Sequence, residues 1–403
     1  MTESEVKVIR ERLEDKDSFE IQDPKSSIVH SYYYDHVGKV FCRLSIDGVT
    51  PFVDSVFVYD DFSVLYQEVL CQYDVSFIVD KMQNTMERIG RFYELCTAEV
   101  VDEDAIAEII TKPFNYELLI WDREKSTHGY MTPFQGLVLR RPPATASIRI
   151  LLEKGVNPNK KTGLPTSQRT AFFHACSYAH YNEVQLMLPY VDINLVLEQT
   201  SYWNKPTALM TCIDGYFEDS PQKEERLGIF RLLLEHGANI NYVHHNGDSA
   251  VMKIIDARRV EYFERIPPRI SLNVNYHYHG KDWSDNKSTP LSFCTKKWTV
   301  HNDLKEIFVH LLELGADINM KDGDGFPPLF YSVWNEMLEV YDQTEVNWTS
   351  TNREGKTALA YYASFNKKKT EIPALLLQRG IDIDSIDNNG DTALHIALRN
   401  KDS

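Results

Sequence analysis

Arg231-Leu232-Leu233-Leu234-Glu235-His236-Gly237-Ala238-Asn239-Ile240-Asn241 reads as the end of a helix, a glycine stop and a short extended stretch. His310-Leu311-Leu312-Glu313-Leu314-Gly315-Ala316-Asp317-Ile318-Asn319 nearly restates it. Further copies lie at 150–159 and 374–384, and weaker ones at 187–194 and 272–275. In each copy the adjacent leucines supply an inward-facing pair. Gly155, Gly237, Gly315 and Gly380 fall just past the helix. The left-handed backbone that ends a helix there is costly for any residue with a side chain.

A second signature alternates with the first. Its leading positions are Thr132, Thr170, Thr207, Ser249, Thr289, Pro327, Thr357 and Thr392, each followed by Ala or Pro. A hydroxyl there caps a helix, and proline is tolerated at the first helical position because its missing N–H had no partner anyway. Turns rich in Gly, Asn and Asp precede several copies, as in Asn246-Gly247-Asp248 and Asn388-Asn389-Gly390-Asp391. The steps between leading positions are 38, 37, 42, 40, 38, 30 and 35 residues.

Two signatures alternating at that period resemble the ankyrin repeat, whose core reads T-P-L-H-x-A. Thr392-Ala393-Leu394-His395-Ile396-Ala397 matches it best, while Phe173, Met210, Ser292 and Phe330 stand where other copies would have the histidine. The resemblance covers residues 129–403. It implies a mainly α fold: an ankyrin-repeat solenoid of helix-turn-helix plus hairpin units, sharing one elongated core with a concave surface. It also implies work by protein–protein contact, through finger tips and inner helices, as a scaffold or adaptor. Extra length at 214–225 and 296–303 should separate the two helices of a repeat, and that at 276–286 should enlarge a finger.

The rest of the chain differs. Residues 1–27 are read as a flexible acidic N-terminus and 28–80 as a small α+β module. Residues 40–46 alternate like a strand, Asp47-Gly48 is a hairpin signal, and 51–59 can pair back. Residues 81–128 are read as an atypical capping repeat, with helices at 81–96 and 102–111 and a finger at 115–122. By the same resemblance residues 129–403 are read as the ankyrin repeats, the last one incomplete. A single helix at 391–398 should leave Ile396 and Leu398 partly uncovered, so the chain is expected either to continue in a longer protein or to be covered there by another molecule.

Composition narrows the function. The 403 residues carry a formal net charge of −16, and residues 1–128 hold 26 Asp+Glu against 13 Lys+Arg. Nucleic-acid affinity comes mostly from Lys and Arg, so a nucleic-acid partner is not expected. The acidic third is either a solvated surface or a patch for a basic protein partner. No stretch of about 18 uncharged apolar residues appears, so no membrane span is expected. The charged start, MTESEVKVIRERLEDKDSFE, lacks a leader's apolar core, and an intracellular setting follows, the cytoplasm first and the nucleus left open. Six cysteines without CxxC spacing read as small buried hydrophobes. The oligomeric state stays open.

Catalytic and metal chemistry find little support. Phosphate-loop, dinucleotide, zinc-protease and nucleophile-elbow motifs are missing from the sequence. Asp322-Gly323-Asp324-Gly325 begins like a calcium loop, but Pro327 and Val333 stand where that loop needs its glycine and its closing glutamate. His277 and His279 near His244 and His245 bring no cysteine, so neither metal nor cofactor is assigned. Lys367–Lys369 read as a solvated rim, and the sequons at Asn286 and Asn347 as unused. The partner-binding candidates are the aromatic and histidine residues of the fingers: Trp203, Tyr242, His244, His245, Tyr276, His277, Tyr278, Trp283 and Trp348. Tryptophan and tyrosine are the usual anchors of interfaces. No enzyme is expected. The alternative is an enzyme or effector with its activity in 30–125 and the repeats selecting the substrate.

Overall fold

The computed structural model describes residues 2–14, 18–22, 28–35, 40–46, 53–59, 61–68, 70–73, 75–98, 102–110, 120–121, 130–162, 169–197, 207–213, 222–244, 249–277, 288–298, 304–332, 338–342, 344–365 and 371–401. The chain forms two compact units, Met1–Thr211 and Cys212–Ser403.

The first unit opens with a four-stranded antiparallel sheet in sequence order: β1 (Phe19–Gln22), β2 (Val29–Asp35), β3 (Val40–Ile46) and β4 (Val53–Tyr59). The alternation at 40–46 does pair with the following strand, Phe41 opposite Tyr59. Phe19 and Ile21 of β1 and Tyr32 of β2 point to one face, where Phe19 stacks on Tyr32 at 4.8 Å. Helix Val75–Thr97 covers that face. Its buried residues Ile78, Met82, Thr85, Ile89, Phe92 and Cys96 recur at steps of four and three, which keeps them on one side of a 3.6-residue turn. Arg88, on the same helix, pairs with the buried Glu20. That offsets the cost of burying a carboxylate.

The flexibility expected of residues 1–27 does not hold at Glu3–Glu14 or Phe19–Gln22. Glu3–Glu14 form a helix whose Ile9 and Leu13 are fully buried in the sheet's core. The charges that argued for flexibility sit on its outer side, where Lys7–Glu11 and Arg10–Glu14 pair one turn apart at 3.6 and 2.8 Å. Farther on, helix Glu103–Ile109 is capped by Asp102, and Ile120–Trp121 pairs with Tyr130–Met131.

Helix pairs then begin. Pro133–Leu139 with Thr145–Glu153, and Ala171–Ser177 with Tyr181–Met187, belong to the first unit. Helix Ala208–Cys212 lies where one unit gives way to the next. In the second unit Lys223–Glu235 precedes four pairs: Ala250–Ala257 with Glu261–Glu264, Pro290–Trp298 with Lys305–Glu313, Pro328–Ser332 with Leu338–Tyr341, and Ala358–Ala363 with Glu371–Gln378. A single helix, Ala393–Lys401, follows. Within each unit first helices pack on first helices. The capping hydroxyls act as the sequence predicts: Thr132, Thr170, Thr207, Ser249, Thr289, Thr357 and Thr392 each accept the N–H three residues on, at 3.1–3.4 Å. Gly237 and Gly315 take φ of 93° and 87° at the helix stops.

One expectation about loops changes. Residues 296–298 are helix, not insert. Thr295 Oγ1 bonds back to the Leu291 carbonyl at 2.8 Å, and Lys297 reaches Asp256 of the preceding repeat at 2.9 Å, so the turn is extended by contacts on both sides.

The Asn-x-Asn stretches tie repeats together. Asn239 Oδ1 accepts the Asn241 N–H at 3.0 Å, which folds the loop on itself. Asn241 then reaches outward: Oδ1 accepts Asn273 N–H and Nδ2 donates to the Ser271 carbonyl, both at 2.8 Å. Asn275 and Asn319 repeat the pattern towards the next loops. Asn159 does the same in the first unit, towards Asp192 N–H and the Tyr190 carbonyl, both at 3.0 Å. A side-chain amide offers a donor and an acceptor together, so one residue satisfies both backbone groups of its neighbour.

Candidate partner-binding surface

Three carboxylate or amide side chains fold the fingers of the last repeats. Asp322 Oδ1 accepts from the N–H groups of Asp324 at 3.0 Å and Phe326 at 2.9 Å. Asn352 does the same for Glu354 and Lys356, and Asp387 for Asn389 and Asp391. The finger that begins at Asp322 therefore delivers Phe326 to the start of helix Pro328–Ser332.

That helix supplies Tyr331, whose hydroxyl donates to Asp322 Oδ2 at 2.5 Å. Lys296, from the preceding repeat, brings its ammonium 3.3 Å from the same oxygen, 2.8 Å from Ser288 Oγ and 4.5 Å over the Tyr331 ring. Asp322 is thus buried with every oxygen in use. Burial, with the Asp322 hydrogen bond and charge behind it, pushes the Tyr331 hydroxyl far above its ordinary value. Tyr361 is raised as well, by burial first and then by Asp322 and Glu354. The cluster is a pin between neighbouring repeats.

On this pin stands a row of rings. Tyr331 lies 5.9 Å from Phe326, Phe326 5.1 Å from Tyr361, and Tyr361 5.1 Å from Phe365. Phe326, Tyr331 and Tyr361 are half-buried, and Phe365 is 40% exposed. Such centroid distances suit edge and tilted packing. The row crosses two successive repeats and keeps part of its surface in water.

The finger residues expected from sequence lie as follows. Tyr242 is half-buried with its ring 6.4 Å from that of His244, which is only 2% exposed. The Tyr276 hydroxyl bonds to Ser249 Oγ, the cap of helix Ala250–Ala257. His277 is exposed. Trp348 is half-buried, edge-on to Tyr341 at 6.4 Å, under the Arg379 guanidinium at 5.8 Å. Trp203, His245, Tyr278 and Trp283 lie outside the described residues. The structure does not gather the described ones into a cluster. The row of Phe326, Tyr331, Tyr361 and Phe365 escaped sequence reading. Its available signal was a shared offset, since Tyr331 and Tyr361 both stand four residues after a leading position, 327 and 357.

Among the described residues no three His, Cys, Asp or Glu side chains converge as for a metal, and no helix is long and apolar enough to cross a membrane. Cys42, Cys96, Cys176, Cys212 and Cys294 are buried free thiols.

Residues 329–403 match the family model described as ankyrin repeats, in three copies. Rabankyrin-5 from Homo sapiens is 25% identical over 127 residues, which is 30% of this chain and 10% of that protein, so the match spans about a tenth of the relative's length. The solved ankyrin repeat domain of Bcl-3, described as a unique member of the IkappaB protein family, aligns with a TM-score of 0.44 at 19% identity over 57% of this chain and 94% of that chain. Residues 329–403 therefore carry ankyrin repeats, and the capped helix pairs, left-handed glycine stops and amide ties of the preceding segments repeat the same local geometry.

Proposed function

We propose that the chain is a scaffold or adaptor that holds a protein partner on the first-helix and finger side of its repeats. Ankyrin repeats are protein-interaction modules, and the observation that carries the reading is the half-exposed row of Tyr331, Phe326, Tyr361 and Phe365. A contiguous aromatic strip held open to water costs solvation unless something covers it part of the time. The finger residues Trp203, Tyr242, His245, His277, Tyr278 and Trp283 belong to the same proposal as outlying contacts. His244, Tyr276 and Trp348 support it from beneath, since their side chains serve the repeat itself. The acidity of residues 1–128 favours a partner with a basic surface. Buried free thiols suit a reducing, intracellular compartment.

The test is affinity capture from a native extract with the intact chain and with a Tyr361→Ala, Phe365→Ala double variant. The expected result is loss of a reproducible partner at an unchanged unfolding midpoint, within the few degrees that a partly exposed pair commands. Capture that survives the double variant would place recognition elsewhere. A third bait starting at residue 130 separates any contribution of the acidic residues 1–128.

A further inference from the structure

The amide ladder has one rung missing. Asn241, Asn275 and Asn319 each reach two backbone groups of the next loop. The equivalent position facing Gly380 and Asp382 is Thr349, and its hydroxyl turns back to Asn347 Oδ1 at 2.9 Å. The junction between helices Pro328–Ser332 and Ala358–Ala363 therefore lacks the tie that the preceding junctions share.

A tie of another kind spans the same junction. Arg379 stands one residue before Gly380 and directs two guanidinium nitrogens at the two carboxylate oxygens of Asp342. The two side chains are 33% and 32% exposed, and the guanidinium lies over Trp348. A bidentate fork is the strong form of an ion pair. At this exposure it is nonetheless screened by salt, whereas a neutral amide rung is not. The junction also divides the aromatic row. Phe326 and Phe330 belong to one side and Tyr361 to the other, at 5.1 and 5.4 Å.

We propose that this junction is a charge-clamped joint, closed by Arg379 on Asp342 over Trp348, whose closure sets whether Phe326 and Tyr361 present one continuous surface. In a stack where each repeat contacts only its neighbours, loosening one tie acts first on the junction it spans. Replacing amide rungs by a fork of charges makes that coupling adjustable by ionic strength or by a charged competitor. The consequence for binding rests on the partner-surface reading above; the joint itself does not.

Hydrogen exchange on the full chain tests it without a partner. Arg379→Ala should speed exchange over residues 371–382 about tenfold while leaving 305–319 unchanged. Raising NaCl from about 0.05 to about 0.5 M should act on the wild-type chain in the same place and direction. Adding Thr349→Asn to Arg379→Ala should restore protection, because asparagine supplies the missing rung. Unchanged exchange in Arg379→Ala, acceleration spread evenly over 223–401, or no rescue by Thr349→Asn each overturns the joint. The salt titration needs no variant, so a poorly folding Arg379→Ala does not block the test. Loss of capture in the Tyr361→Ala, Phe365→Ala variant is read separately and bears only on the binding surface.

Discussion

Asn275 holds Asp317 across a repeat boundary: its Oδ1 accepts the Asp317 N–H at 2.8 Å while its Nδ2 donates to the Gly315 carbonyl at 2.8 Å. Two hydrogen bonds from one side chain, each worth about 0.5–1.5 kcal/mol net, make this amide a register pin. Asn275→Ala should lower unfolding stability by about 1–2 kcal/mol in denaturant titration, and Asn275→Asp should fall between, since it keeps the acceptor and loses the donor. Equal stability of Asn275→Asp and wild type would show that the donated bond to Gly315 contributes nothing.

Two finger glycines separate backbone strain from close packing. Gly355 and Gly390 take φ of 76° and 81°, a conformation that favours glycine. A Cβ on Gly355 would come within 2.5 Å of Asn388 Oδ1 and 3.0 Å of its backbone nitrogen, whereas one on Gly390 meets nothing within 4 Å. Gly390→Ala should therefore cost only the left-handed penalty of about 1–2 kcal/mol, and Gly355→Ala distinctly more. Thermal unfolding of the two single variants decides it, and equal losses would mean that Asn388 moves aside freely.

What the sequence revealed follows from which interactions are local. Caps and helix stops are settled within four residues, so Thr357 with Ala360 and Gly237 with its helix were legible from spacing alone. The same locality made β3 and β4 readable from alternation and a hairpin turn. Helix Glu3–Glu14 was not, because its dense charges hide an apolar stripe whose use depends on a sheet far away in sequence. Nor was the aromatic row, since Phe326 meets Tyr361 only once two repeats stack. Finger aromatics drew notice by type, yet Trp348 packs against Arg379 and Tyr341, partners that spacing does not announce.

Asp322 should tolerate loss of its charge poorly. Its carboxylate has no exposed surface and meets the Lys296 ammonium at 3.3 Å. Asp322→Asn keeps an acceptor for the Asp324 and Phe326 amides but removes the charge that Lys296 meets at 3.3 Å. Removing one member of a buried pair typically costs about 3–5 kcal/mol, and the partial exposure of Lys296 puts the expected loss at the lower end, about 3 kcal/mol. Asp322→Asn with Lys296→Met should recover part of that loss, because both charges are then gone. A double variant as unstable as the single one would show that the finger hydrogen bonds, not the ion pair, were at stake.

Alkaline stability carries the signature of Tyr32. Its side chain is buried against Phe19, and burial pushes its hydroxyl up to about 12, with Arg43 opposing and Tyr73 and Tyr59 adding to the rise. Below the ordinary tyrosine value of about 10 both folded and unfolded chains keep the proton, so the contribution of Tyr32 is full and constant. Between about 10 and about 12 the unfolded chain releases the proton while the folded one holds it, so stability falls as pH rises. Tyr32→Phe removes that proton from the balance without removing the ring. Unfolding titrations at matched ionic strength should show a shallower fall for Tyr32→Phe than for wild type across that window, and parallel curves below it. Lysine and arginine ionisation affects both proteins alike, so identical slopes above pH 10 would mean that Tyr32 reaches water in the folded state.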